Sequence, residues 1–187
     1  MYETSDLRKG LKIQIDGQPY TVIQADFVKP GKGQAFTRTR LRNMTNGNVI
    51  DRTYKSGERL EPASLEERQL QYLYAEGDMR VFMDTTNYEQ VQLSDDLLGE
   101  SKLYLLDGVM VDVLFFDERP IGVTPPIFVE LQVAETEPGF KGDTSGGTTK
   151  PARMQTGLKV DVPLFINQGE TLKIDTRTGE YVERVKK

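Results

Sequence analysis

Short segments of alternating polarity, cut by Asp-Gly and Asn-Gly pairs, leave this chain little choice but β-structure. LKIQI (11–15) runs into Asp16-Gly17 and then YTVIQAD (20–26), and Asp-Gly supplies the positive φ angles of a type I′ hairpin turn. AFTRTRLRNM (35–44) meets VIDRTY (49–54) across Asn46-Gly47, which predicts a second hairpin of the same kind and, with the first, a small β-barrel. Further strands are expected at RQLQYLYA, RVFMDT, VMVDVLFF, IFVELQVAET, LKVDVPLFI and LKIDTR. Helical signals are few. SDLRKG (5–10) predicts one turn capped by Ser5, and SDDLLGE (94–100) another, with Ser94 as N-cap, acids in the first turn and Gly99 as the stop.

A weak internal repeat sharpens the picture. YLYAEGD (72–78) and LFINQGE (164–170) both read as a strand, a polar pair, a glycine and an acid, each followed by an apolar run ending in Asp-Thr, VFMDT and LKIDT. The expectation is an all-β chain of three small domains, residues 1–64, 65–127 and 128–187, the last two being barrels of one type. Pro125-Pro126 stiffens the second joint. Cores of about 60 residues are marginal alone, so the domains are expected to pack on each other.

Composition narrows the chemistry. The 187 residues include no cysteine and no histidine. Disulfides and thiolate chemistry are excluded, which fits a reducing cytoplasm. The usual acid–base group near neutral pH is missing, as is the commonest ligand for zinc, so neither a catalytic centre nor a metal site is expected. No apolar run approaches the ~20 residues that cross a bilayer, and the opening MYETSDLRKG has no signal-peptide core. Net charge is −5 but unevenly spread: residues 1–64 carry +4, residues 65–127 carry −9 and residues 128–187 balance at zero. That gradient suits an oriented binder whose first domain faces phosphates, although solvated faces of chance composition would look the same.

Within DFVKPGKGQAFTRTRLR (26–42), Pro30-Gly31 fits the centre of a type II turn, with positive φ at Gly31. Gly31 and Gly33 strip side-chain bulk from both sides of Lys32, leaving a slim tip with one ammonium; an ordinary surface turn would also fit. Arg38, Arg40 and Arg42 recur at a spacing of two, which puts three guanidiniums on one strand face as a phosphate-contacting row. Tyr72, Tyr74 and Phe115-Phe116 read as core rather than as base-stacking residues. EPGFKGDTSGGTTKPA (137–152) lacks the lysine of a phosphate loop and reads as a long β-loop. The pairs Asp95-Asp96 and Asp117-Glu118 read as helix-start and turn residues.

KPGKGQAF (29–36), TRLRN and QYLYAEGD resemble the bacterial elongation factor P family, and KPARMQTGLKVDVPLFINQGE (150–170) is similar to that family's C-terminal signature. The resemblance spans essentially the whole chain. It implies a KOW-like, SH3-like barrel followed by two OB-fold barrels in an L-shaped, tRNA-like arrangement. It also implies a monomeric cytoplasmic factor with no cofactor, binding the RNA and proteins of both ribosomal subunits between the peptidyl-tRNA and exit sites. Such a factor relieves stalling at consecutive prolines. Lys29, Pro30, Gly31, Lys32, Gly33, Gln34, Arg38, Arg40 and Arg42 would then contact tRNA or rRNA. Lys150, Gly157, Val162, Pro163 and Gly169 carry the signature. Lys32 would be modified by a dedicated enzyme, with a β-lysyl or other group; the rhamnose route used on arginine tips is excluded by the lysine itself. Two other readings stand beside this one: an OB-fold nucleic-acid-binding module acting away from the ribosome, and an enzyme using Lys32 as nucleophile.

Overall fold

The computed structural model describes residues 1–139 and 147–186; residues 140–146 of the expected loop at 137–152 therefore lie outside the described residues, and its last residues, from Thr149 on, are strand rather than loop. Three antiparallel sheets follow one another. The first orders β1 (Tyr2–Glu3), β6 (Arg59–Pro62), β2 (Lys12–Ile15), β3 (Gln18–Val28), β4 (Phe36–Asn43) and β5 (Val49–Lys55). Its core is Leu11, Ile13, Val22, Leu41, Tyr54 and Leu60. Asp16 (φ 51°) and Gly17 (φ 72°) form the expected β2–β3 turn. The β4–β5 connection is different. Only Gly47 has positive φ there, and the Asn43 carboxamide oxygen accepts from the backbone N–H of Thr45 and Asn46 at 2.8 and 3.3 Å. A buried asparagine that satisfies two loop donors stabilises a five-residue connection in place of a two-residue turn.

The second sheet orders β11 (Arg119–Thr124), β10 (Met110–Phe116), β7 (Leu65–Glu76), β8 (Met79–Asp84) and β9 (Gln90–Ser94). The third orders β14 (Lys159–Pro163), β13 (Thr149–Met154), β12 (Phe128–Thr136), β15 (Thr171–Asp175) and β16 (Glu180–Val185). In each, the first strand is central, the next two continue on one side, and the last two close the other. The repeat is thus real, but in a different alignment from the expected one. β8 is the second strand of its sheet and β15 the fourth of its own. VFMDT and LKIDT match because each ends in an aspartate that closes a turn: Asp84 accepts from the Thr86 N–H at 2.9 Å, and Asp175 from the Arg177 N–H at 2.8 Å. LFINQGE is a pair of turns rather than a strand.

Helical structure is short, as expected, and only the first cap differs. At the N-terminus a 3₁₀ turn (Thr4–Asp6) is fastened by Asp6, whose carboxylate accepts from the Glu3 N–H at 2.8 Å, and not by Ser5. α1 (Asp95–Leu98) has Ser94 as N-cap, its hydroxyl accepting from the Leu97 N–H at 3.2 Å. Gly99 (φ 54°) caps the C-terminus of α1 as expected, and the chain continues from it as a 3₁₀ helix, Gly99–Tyr104.

The chain gathers into two compact units, one of Met1–Glu66 with Leu114–Gly122, the other of Glu67–Val113 with Val123–Lys187. Inside the second unit the 3₁₀ helix joins two sheets. Tyr104, only 7% exposed, belongs to the core of the third sheet with Val129, Leu131, Met154, Val162, Ile166, Leu172 and Ile174, and Leu103 and Leu106 pack against it. The Thr156 hydroxyl donates to the Leu103 carbonyl at 2.5 Å. A small barrel thereby completes its core with residues from the preceding segment, as the argument from marginal core size requires.

Candidate nucleic-acid interface

β3 and β4 pair from Tyr20↔Asn43 out to Val28↔Phe36, so residues 29–35 cap a long hairpin. Lys29, Gly31, Lys32, Gly33 and Gln34 are exposed and Pro30 is half-buried. The loop bends at residues 31–33, and the positive φ falls on Gly33 (102°) rather than on Gly31. A Cβ added at Gly31 or Gly33 would meet nothing within 4 Å. The protein therefore makes no packing demand on either glycine; Gly33 is favoured by its own φ, but at Gly31 there is no backbone demand either, and the missing side chain beside Lys32 serves nothing inside the fold. The return limb is tied down. The Gln34 carboxamide donates to the Ser56 carbonyl at 2.6 Å, and the Ser56 N–H donates to the Ala35 carbonyl at 2.9 Å. A fixed base under a bare tip projects Lys32 at small conformational cost.

β4 alternates as its sequence predicts: Thr37, Thr39, Leu41 and Asn43 are buried, while Arg38, Arg40 and Arg42 are exposed on one face. Sequence spacing did not reveal what stands opposite. Across β3, Arg38 is registered with Asp26, Arg40 with Gln24 and Arg42 with Thr21; across β5 their partners are Thr53, Asp51 and Val49. Arg40 Nε donates to the Asp51 carboxylate at 3.0 Å, and this bond, reinforced by the charge, raises the Arg40 pKa further above its ordinary value. The Arg38 guanidinium lies 5.4 Å from the centroid of the Phe36 ring, and Asp26 accepts from the Gln24 carboxamide at 2.7 Å. The row is therefore not unmixed positive charge: one of its three arginines is held by a carboxylate and another faces one across the ladder. Gln24, Asp26, Arg38, Arg40, Asp51 and Thr53 line a shallow groove along it. Planar guanidiniums beside polar side chains in an open groove suit phosphate contacts.

The signature residues of the C-terminal segment stand elsewhere and do structural work. Val162 is fully buried, and Lys150, registered opposite it, is 7% exposed with its ammonium donating to the Glu137 carbonyl. Pro163 ends β14. Gly157 and Gly169 take φ of 92° and 88° in turns; the Gly169 N–H donates to the Val133 carbonyl at 2.9 Å. They build the third barrel and lie apart from the hairpin tip in sequence and in sheet. Among the aromatics, Tyr72 packs as expected, 7% exposed and 5.4 Å from the Phe82 ring, and Phe115 and Phe116 are buried. Tyr74 is 50% exposed, because a register shift between Tyr72 and Tyr74 breaks the alternation. Asp95 and Asp96 start α1 as expected, Asp95 pairing with Arg80 at 3.0 Å; Asp117 and Glu118 form the β10–β11 turn with φ of 49° and 62°. No group of acidic residues among the described residues is arranged to hold a metal ion.

Three family models match in series: the elongation factor P KOW-like domain over residues 3–60, the elongation factor P OB domain over 65–123 and the elongation factor P C-terminal domain over 129–184. Relatives match end to end. "Elongation factor P 2" of Geobacter sulfurreducens is 55% identical over 186 residues, and "Elongation factor P" of Desulfotalea psychrophila 53% over 186, each comparison covering 100% of both chains. Among solved structures, "Eukaryotic translation initiation factor 5A from Methanococcus jannaschii" shares the fold with a TM-score of 0.56 at 24% identity, over 66% of this chain and 91% of that one.

Proposed function

Since the chain belongs to the elongation factor P family and so to the translation elongation factors, we propose that it binds the ribosome between the peptidyl-tRNA and exit sites and relieves stalling at consecutive prolines. The observation that carries this is the Lys32 tip: an exposed ammonium on a hairpin extension, flanked by glycines whose missing side chains leave open space in the protein itself. Such a tip fits a narrow channel supplied by a partner. Lys32 then lies along the CCA end of the peptidyl-tRNA, while Lys29 and the Arg38–Arg40–Arg42 face contact backbone phosphates nearby.

The chemistry asked of the protein is positional. Proline attacks poorly, and a polyproline chain misplaces the ester that must react. Holding the tRNA end restricts the reactants to productive geometry, an entropic aid worth several kcal/mol in well-oriented systems. It involves no proton transfer by the factor, in keeping with a chain that has no histidine. Modification of Lys32 by a dedicated enzyme lengthens the reach and adds donors. A monomer working in the cytoplasm follows from the ribosomal partner. The test is reconstituted translation of a Pro-Pro-Pro reporter with and without protein purified from its native host: relief of the stall is expected, and a stall of unchanged duration overturns the proposal.

A further inference from the structure

We infer that Phe27 is a stacking platform for an unpaired nucleobase at the 3′ end of the tRNA that the Lys32 loop addresses; the inference rests on the function proposed above. Phe27 is 66% exposed, an unusual position for a phenylalanine inside a paired strand, two residues before the loop begins at Lys29. Its register partner on β4 is Thr37, and the partner of Thr37 on β5 is Tyr54. Directly opposed residues of antiparallel strands share a face, so Phe27 stands on the side of Tyr54 and away from the arginine row.

That side has a composition of its own. Its distal rows are Phe27–Thr37–Tyr54 and Ala25–Thr39–Arg52, and neither holds a carboxylate, whereas the arginine face holds Asp26 and Asp51. The acid acting on Tyr54 is Glu58, beyond the end of β5. The exposed Arg52 guanidinium lies 5.8 Å from the Tyr54 ring centroid and supplies positive charge. Thr37 and Tyr54 are buried beneath the sheet's core side, and the Thr39 hydroxyl donates to the Arg52 carbonyl at 2.7 Å. The ring is therefore mounted on a rigid ladder and left bare. A bare aromatic ring on a hairpin that also carries exposed cations, here Lys29 and Arg52, is an arrangement by which proteins bind single-stranded nucleic acid, the ring taking the base and the cations the backbone. The two faces of the hairpin then divide the work: guanidiniums on one side meet phosphate, and Phe27 on the other meets a base of the strand along which Lys32 lies.

The inference separates an aromatic requirement from an apolar one. Phe27→Leu and Phe27→Tyr are compared with wild type by thermal melting, then by affinity for ribosomes carrying peptidyl-site tRNA that is either intact or shortened by its terminal CCA. Phe27→Leu is expected to weaken binding to the intact complex about 10-fold, the scale of one base–aromatic stack, and Phe27→Tyr to stay within about two-fold. On the shortened tRNA, wild type and Phe27→Leu are expected to bind equally. Equal binding of Phe27→Leu and wild type on intact tRNA overturns the inference, as does a Phe27→Leu loss that persists on shortened tRNA. Wild type that shows no affinity for either complex overturns the proposed function as well, so the two failures are distinct.

Discussion

Removing the Tyr104 ring should uncouple two sheets that otherwise unfold together. The ring lies in the core of the third sheet although its chain segment follows α1 of the second, and Leu103 is tied to Thr156 beside it. Truncating a buried aromatic costs roughly 3–5 kcal/mol; Tyr104 retains 7% exposure, so about 3 kcal/mol is expected for Tyr104→Ala. For a unit of this size, 1 kcal/mol shifts Tm by roughly 3–4 °C, giving a fall of about 10 °C. Tyr104→Phe keeps the ring and should remain within about 1 kcal/mol of wild type. Calorimetry reads both quantities: wild type should show one transition for residues 67–113 with 123–187, and Tyr104→Ala a lower one that divides in two. A loss below about 1 kcal/mol, or equal losses for Ala and Phe, would refute the idea that this ring completes the core.

Three further outcomes follow from single groups. The Tyr54 hydroxyl is buried with no hydrogen-bond partner, and burial raises its pKa; Tyr54→Phe should leave stability unchanged or raise it by up to about 1 kcal/mol in urea titrations, and a clear loss would show that the hydroxyl is satisfied. Bonds from Thr86 hold the Asp84 carboxyl below its ordinary range, and bonds from Arg177 do the same for Asp175. Their stabilisation is present above the unfolded value near ~3.9 and is lost as pH falls below it through the lower folded values, so Asp84→Asn and Asp175→Asn should flatten the fall of Tm between about pH 5 and pH 2; an unaltered slope contradicts this. On the arginine face, Asp51→Asn frees Arg40 and should tighten ribosome binding and steepen its salt dependence, while Arg38→Ala and Arg42→Ala should each flatten it by about one ion. Slopes unmoved by all three would remove that face from the interface.

Much of this was legible in the sequence because strand alternation and turn chemistry are local. β4 shows it best: a period of two placed Thr37, Thr39 and Leu41 inside and three arginines outside. The strands that escaped reading were the two-residue β1, RLEP, QVQLS, RPIGVT, TKPARM and EYVERV, which are short, polar or contain proline. β9, β11 and β16 are sheet edges, where a partner on one side supplies the ladder and little apolar surface is needed. The repeat was misaligned for a similar reason. Asp-Thr after an apolar run reports a turn, and a turn does not say which strand of the barrel precedes it. Lys32 stood out from its flanking glycines, but Asp51, thirteen residues beyond Arg38, enters the site only through β4–β5 pairing. Phe27 gave no signal as a surface group because the sequence does not show that β3, paired with β2 only over Gln18–Thr21, has β4 alone as its partner at that position.

The most direct test of the account is the Pro-Pro-Pro reporter with Lys32→Ala set against wild type, both produced in the native host and matched for Tm. Because Lys32 is exposed and its neighbours make no packing demand, the variant should melt with wild type and lose most of the stall relief. Full relief by Lys32→Ala, or a collapse of its folded structure, would contradict a tip that acts outside its own fold.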